Sequence, residues 1–222
     1  MIMSRVIYFF YITALILLSS CVPASEDSFD EVGIDNIPLK TGNKWIYDIA
    51  RGGESFTDSS EILDYFSYPV DDISYRHLFQ YKEIAFTLEM ATVDTVWINL
   101  VEYDNDRLLR YGYEKRDRSG FLYGEPVIFS TPEVMLDHSD NAAVEEMFIS
   151  SLLLNENGYS RTVNDTIVNC VKINHVLSSG SFITTDLNYN LNFYYTELGV
   201  LKIEGIVNNS AFSATAFRCT LK

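Results

Sequence analysis

The sequence predicts a mainly β protein: a long, curved antiparallel sheet, half-barrel or clam-like, with one helix packed against it. Three observations carry this. Apolar and polar residues alternate with a period of two in several runs, most cleanly over Ile183–Tyr195. The aromatic content is dominated by 15 Tyr and 14 Phe, which suit a sheet with one dry and one wet face. Turn-forming clusters such as Asp104-Asn105-Asp106 and Asn208-Asn209-Ser210 separate the strand-like runs.

Taken from the amino terminus, the chain opens on an address. Residues 1–20 carry one charge, Arg5, ahead of an apolar run from Val6 to Leu18. At ~1.5 Å per residue that run covers roughly 20 Å, short of the ~30 Å hydrocarbon core of a bilayer. A basic start, a short apolar stretch and small residues after it predict a secretory signal peptide. Residues 21–36 are acidic and short of large apolar side chains, which predicts a flexible tether. Residues 37–222 are then read as one antiparallel β domain.

Within that domain, Trp45, Tyr47 and Ile49 point one way, with Lys44 and Asp48 opposite. Val93–Tyr103 and the run holding Leu109, Tyr111 and Tyr113 form a hairpin across Asp104-Asn105-Asp106, with Arg110 and Glu114 on the other face. Asp140–Leu154 is rich in helix formers, and Val144, Met147, Phe148, Ser151 and Leu152 fall at helical spacing, so the helix is placed here. Ile183–Tyr195 would span roughly 43 Å as one strand, so it either belongs to a long sheet or is interrupted. Gly199 turns that strand into Val200–Val207, and Ala211–Leu221 follows.

Sixteen Lys and Arg stand against 31 Asp and Glu, a net charge of -15. That argues against nucleic acid, because phosphate binding needs a basic face. The three His are scattered, and no metal-ligand spacing, nucleotide loop or nucleophile elbow is present in the sequence. No cofactor, metal or catalytic residue is predicted. Cys170 and Cys219 lie in strand-like segments, and in an exported protein they are candidates for one disulfide; two buried thiols are the alternative.

Four segments resemble known proteins. Leu18-Ser19-Ser20-Cys21 resembles the lipobox of bacterial lipoproteins. That resemblance implies cleavage before Cys21, acylation of its thiol and anchorage to a membrane, with Val22 favouring the outer one. Ile37–Tyr47 (IPLKTGNKWIY) and Tyr194–Glu204 (YYTELGVLKIE) resemble the opening and closing strands of a broad group of uncharacterised lipoproteins of Bacteroidota type. Asn169–Ile173 is similar to a cysteine-bearing strand of the same group. The resemblance implies a curved half-barrel, akin to carriers and receptors of lipoproteins, and no particular activity.

The functional expectation is an exported, lipid-anchored cell-envelope protein acting as a non-enzymatic binding or interaction module. Its partners would be the membrane, through acylated Cys21, and an apolar ligand or a protein segment. Tyr189, Leu191 and Phe193 are the candidate ligand-facing residues. A structural envelope protein with a closed core and no small ligand is one alternative. An envelope hydrolase is another, and it would require two carboxylates facing one cleft.

Overall fold

The computed structural model describes residues 38–69, 75–86, 90–91, 95–104, 107–117, 119–122, 124–137, 144–177 and 188–222. The expected signal peptide, Cys21 and the expected tether lie outside the described residues, as does the Ile183–Leu187 part of the long alternating run.

Eleven strands follow one another: β1 (Lys44–Arg51), β2 (Glu54–Pro69), β3 (Tyr75–Lys82), β4 (Thr95–Asp104), β5 (Arg107–Asp117), β6 (Val127–Asp137), β7 (Val144–Glu156), β8 (Tyr159–Leu177), β9 (Tyr189–Thr196), β10 (Gly199–Val207) and β11 (Ser210–Leu221). They make one sheet in the order β10-β9-β8-β7-β11-β1-β2-β3-β4-β5-β6. β11 is the junction. One of its edges is divided: Ser210–Thr215 pair with β10, and Arg218–Leu221 pair in parallel with β7. That closes β7–β11 into a five-stranded barrel. Its other edge pairs with β1, from which β1–β6 continue as an antiparallel meander. The predicted mainly β class therefore holds, with a closed barrel inside the sheet.

The expected helix is a strand. Residues 144–154 belong to β7, which pairs with β8 from Val144↔Val171 to Glu156↔Tyr159. Met147 and Ile149, then Leu152 and Leu154, are buried by alternation, with a phase change near Ser150–Ser151. Phe148 and Val144, assigned to the same helical stripe as Met147, are exposed instead. Local helix propensity amounts to tenths of a kcal/mol per residue, and a full ladder with β8 overrides it. Asn157-Gly158 has φ of 48° and 84° and makes the tight hairpin into β8.

Most other local readings hold. Trp45, Tyr47 and Ile49 are buried on one face of β1. β4 and β5 form the hairpin, with Asp104 opposite Arg107. The expected faces of β5 need correction, because its register shifts against both neighbours. Val101 pairs with Arg110 while Leu100 pairs with Gly112, so Tyr111 is the extra residue of a bulge. Arg110 accordingly sits with Asn99, and Tyr111 sits with Arg76.

The two ends of the domain meet on Trp45. Its indole N–H donates to the Leu198 carbonyl, 153 residues away, and the Tyr47 hydroxyl donates to the Val200 carbonyl at 2.6 Å. Gly199 (φ 98°) lies under the indole, where a Cβ would come within 2.7 Å of the ring. The opening and closing segments singled out by resemblance are thus one packed unit. Among the described residues, the hydrophobic core and the side chains packed against it fall between Leu39 and Leu221. A chain begun at Ser25 therefore retains every core residue described.

Candidate functional site

The barrel and the meander meet at a crevice. From the meander side it is lined by Trp45 of β1, Ile62 of β2, Tyr81 of β3, Leu108 of β5 and Met135 of β6. From the barrel come Phe193 and Tyr195 of β9 and Val200 of β10, with Leu39 and Glu83 at the flanks. Strand alternation brings these residues together: Ile62 pairs with Tyr81, and Phe193 and Tyr195 are two apart on β9. The enclosed free space is about 20 Å³, room for one water-sized group. Nine of the ten linings are apolar or aromatic, and Glu83 is the single charge.

Glu83 follows β3 directly. Its Oε2 accepts a bond from Asn99 Nδ2 at 2.9 Å, and among the described residues it makes no ion pair. Desolvation pushes its carboxyl pKa up, and the nearby Arg110 charge and the Asn99 bond only partly oppose this. The Arg110 guanidinium donates to Asn99 Oδ1 at 3.3 Å and forms an ion pair with Glu133. Asn99 thus hydrogen-bonds both Glu83 and Arg110.

A layer of tyrosines surrounds this carboxylate. Burial raises the hydroxyl pKa values of Tyr81 and Tyr195, and the Glu83 charge raises them further. Tyr189 is pushed up to about 12, by burial first and Glu83 second, with Arg110 pulling the other way. His175 of β8 stacks edge-on against Phe193 with centroids 4.8 Å apart. Burial, helped by the Arg110 charge, lowers its pKa to about 4, and its buried Nε2 has no hydrogen-bond partner.

A fully buried carboxylate of the meander shows the contrast. Glu114 is 5% exposed, accepts from Gln80 at 3.0 Å and pairs with Arg116 at 2.7 Å. It is satisfied on the spot, as a structural charge must be.

The residues chosen from sequence are divided by the structure. Phe193 lines the crevice. Leu191 is wholly buried in the core, opposite His175. Tyr189 packs on Phe86, with centroids 5.3 Å apart, beside the Glu83–Arg110–Glu133 group.

The disulfide is corrected. Cys170 and Cys219 are buried free thiols. β7 stands between their strands, and along it Cys170 lies opposite Glu145 while Cys219 lies opposite Leu154. Nine residues of strand amount to roughly 30 Å, far beyond the ~7 Å limit for bridged Cα atoms. Burial raises both thiol pKa values, that of Cys219 to about 12.

Among the described residues no three His, Cys, Asp or Glu side chains are placed to hold a metal ion. Sequence reasoning missed Glu83, Asn99 and Arg110. The signal was Asn99, a lone polar residue inside the apolar run Val96–Val101, which had to find a partner. No protein family, curated protein or solved structure matches the chain.

Proposed function

We propose that the chain is an exported, lipid-anchored cell-envelope protein that works as a non-enzymatic binding module, with the crevice between barrel and meander as its ligand site. The observation that supports this is the lining: nine apolar or aromatic side chains around one carboxylate, the composition of a small-molecule site. Met135 in that lining has a flexible thioether that yields to an entering group. Acylated Cys21 would hold the domain at the membrane, the outer one by the residue after it. A hydrolase would need two carboxylates across the crevice, and Glu133 is instead engaged by Arg110.

Native mass spectrometry of a chain begun at Ser25, produced in a bacterial periplasm and purified without detergent, tests the binding reading. Extra mass that extracts into organic solvent is the expected result. A clean apo mass would favour the second reading, a structural envelope protein with a closed core, which the closed barrel and the small free volume support. The anchor has its own test. Cys21→Ser in the full chain should move the protein from the membrane fraction to the soluble one, and unchanged partition would refute lipidation at Cys21.

A further inference from the structure

We infer that the face of β4, β5 and β6 carrying Trp97, Tyr113 and Phe129 docks a proline-rich segment of a partner protein in the polyproline II conformation. None of the three rings lines the crevice, so this surface stands apart from the ligand site proposed above.

Strand register sets the rings side by side. Trp97 and Asn99 share a face of β4, Asn99 lies opposite Tyr113, Tyr113 lies opposite Val127, and Phe129 is two residues on. The centroids of Trp97 and Tyr113 are 5.2 Å apart, and those of Tyr113 and Phe129 are 6.2 Å apart. All three are half-buried, and none belongs to the hydrophobic core or to the side chains packed against it. Aromatic side chains placed outside a core are the residues that binding surfaces favour. Successive rings are inclined at 57° and 58°, so the strip is ridged, with a cleft between each pair. Aromatic-lined clefts of this kind seat the rings of a polyproline II ligand. One turn of that helix is three residues at ~3.1 Å each, roughly 9 Å, which suits the run of the three rings.

The polar atoms select the same occupant. Trp45 gives its indole N–H to the Leu198 carbonyl, whereas the Trp97 N–H has no acceptor among the described residues. Lys115 Nζ stands 5.5 Å from the Trp97 ring, and the Arg110 guanidinium 6.0 Å from that of Phe129. Indole, ammonium and guanidinium are donors with no acceptor capacity, and the Tyr113 hydroxyl can also donate. The Glu133 carboxylate is engaged by Arg110. A proline-rich segment is the complement, with apolar rings, carbonyl acceptors and few N–H groups. A glycan is matched less well, because its hydroxyls donate as well as accept.

Calorimetric titration of the chain begun at Ser25 with decaproline, a glycine-serine decapeptide and maltohexaose tests the inference, with tryptophan emission read in parallel. Decaproline should bind about tenfold or more tighter than the other two and shift the emission of Trp97. Trp97→Phe keeps a ring and removes the N–H. It should weaken decaproline binding about fivefold, the loss of one hydrogen bond, and abolish the emission shift. That variant retains Trp45 as its one tryptophan, and the emission of that buried ring certifies the fold. If Trp97→Phe does not fold, the ranking of the three probes and the emission shift on the native chain decide. Equal binding of the two peptides, tighter binding of maltohexaose, no binding of any probe, or decaproline binding that Trp97→Phe leaves unchanged would each overturn the inference. The crevice reading would survive that failure, because its mass-spectrometric test involves none of these three rings.

Discussion

Replacing Gly199 with Ala places a carbon 2.7 Å from the Trp45 indole, about 1 Å inside the ~3.5–4.0 Å optimum for carbon contacts. The indole cannot step aside, because Trp45 is 2% exposed and its N–H is held by the Leu198 carbonyl. Two costs therefore combine. A non-glycine residue at φ 98° costs about 1–3 kcal/mol, and overpacking a filled core costs about 1–3 more. The expected loss is about 4 kcal/mol, which for an m-value near ~2 kcal/mol/M moves the urea midpoint by about 2 M. Gly53 supplies the control. Its φ is 94°, and a Cβ there meets nothing within 4 Å. Gly53→Ala should show the backbone cost alone, so the difference between the two variants measures the Trp45 contact. Trp45→Phe removes the part of the ring nearest Gly199 and should shrink that difference. A Gly199→Ala loss no larger than that of Gly53→Ala would refute the packing of the closing hairpin under the indole.

Three further outcomes follow from the geometry. His175 has a folded pKa of about 4 against ~6.5 unfolded, so the unfolded chain binds the extra proton between those values. Its contribution is full above pH 6.5 and is lost as pH falls towards 4, about 3 kcal/mol in all; the stability-pH slope of the native chain should exceed that of His175→Phe in this window, and parallel profiles would refute the buried neutral imidazole. Unfolded, unreduced protein begun at Ser25 should titrate two thiols, while the native protein should react slowly at both; no reactive thiol after unfolding would restore the Cys170–Cys219 disulfide. Tyr47→Phe should cost about 1–3 kcal/mol, because it leaves the buried Val200 carbonyl without its donor and removes the Ser60 contact; a loss under about 0.5 kcal/mol would remove that bond from the account.

Sequence by itself determined the strand character, the turns and much of the dry face. Period-two burial is a local property of the chain, so Trp45, Tyr47 and Ile49 are legible without any partner. Turn residues are equally local, since Asn and Gly are the residues that accept positive φ, as at Asn208-Asn209 between β10 and β11. What fails locally is any choice settled by a neighbour. β7 carries helix formers and is a strand because β8 pairs along it. Tyr111 reads as one more alternating tyrosine and is a bulge because of the register with β4, which turns Arg110 towards Asn99.

The site belongs wholly to the second kind. Phe193 was legible as an apolar strand residue, but Glu83 became a candidate only when β3, β5, β6, β9 and β10 were brought around one space. The disulfide failed for the same reason, since sequence separation cannot show that β7 intervenes between β8 and β11. Local chemistry fixes which residues favour strand, turn or burial, because those preferences depend on the residue and its immediate neighbours. Tertiary structure decides strand order and register, because long-range pairing sets which side chains share a surface, and that pairing placed the Glu83 carboxylate in one crevice with four aromatic rings.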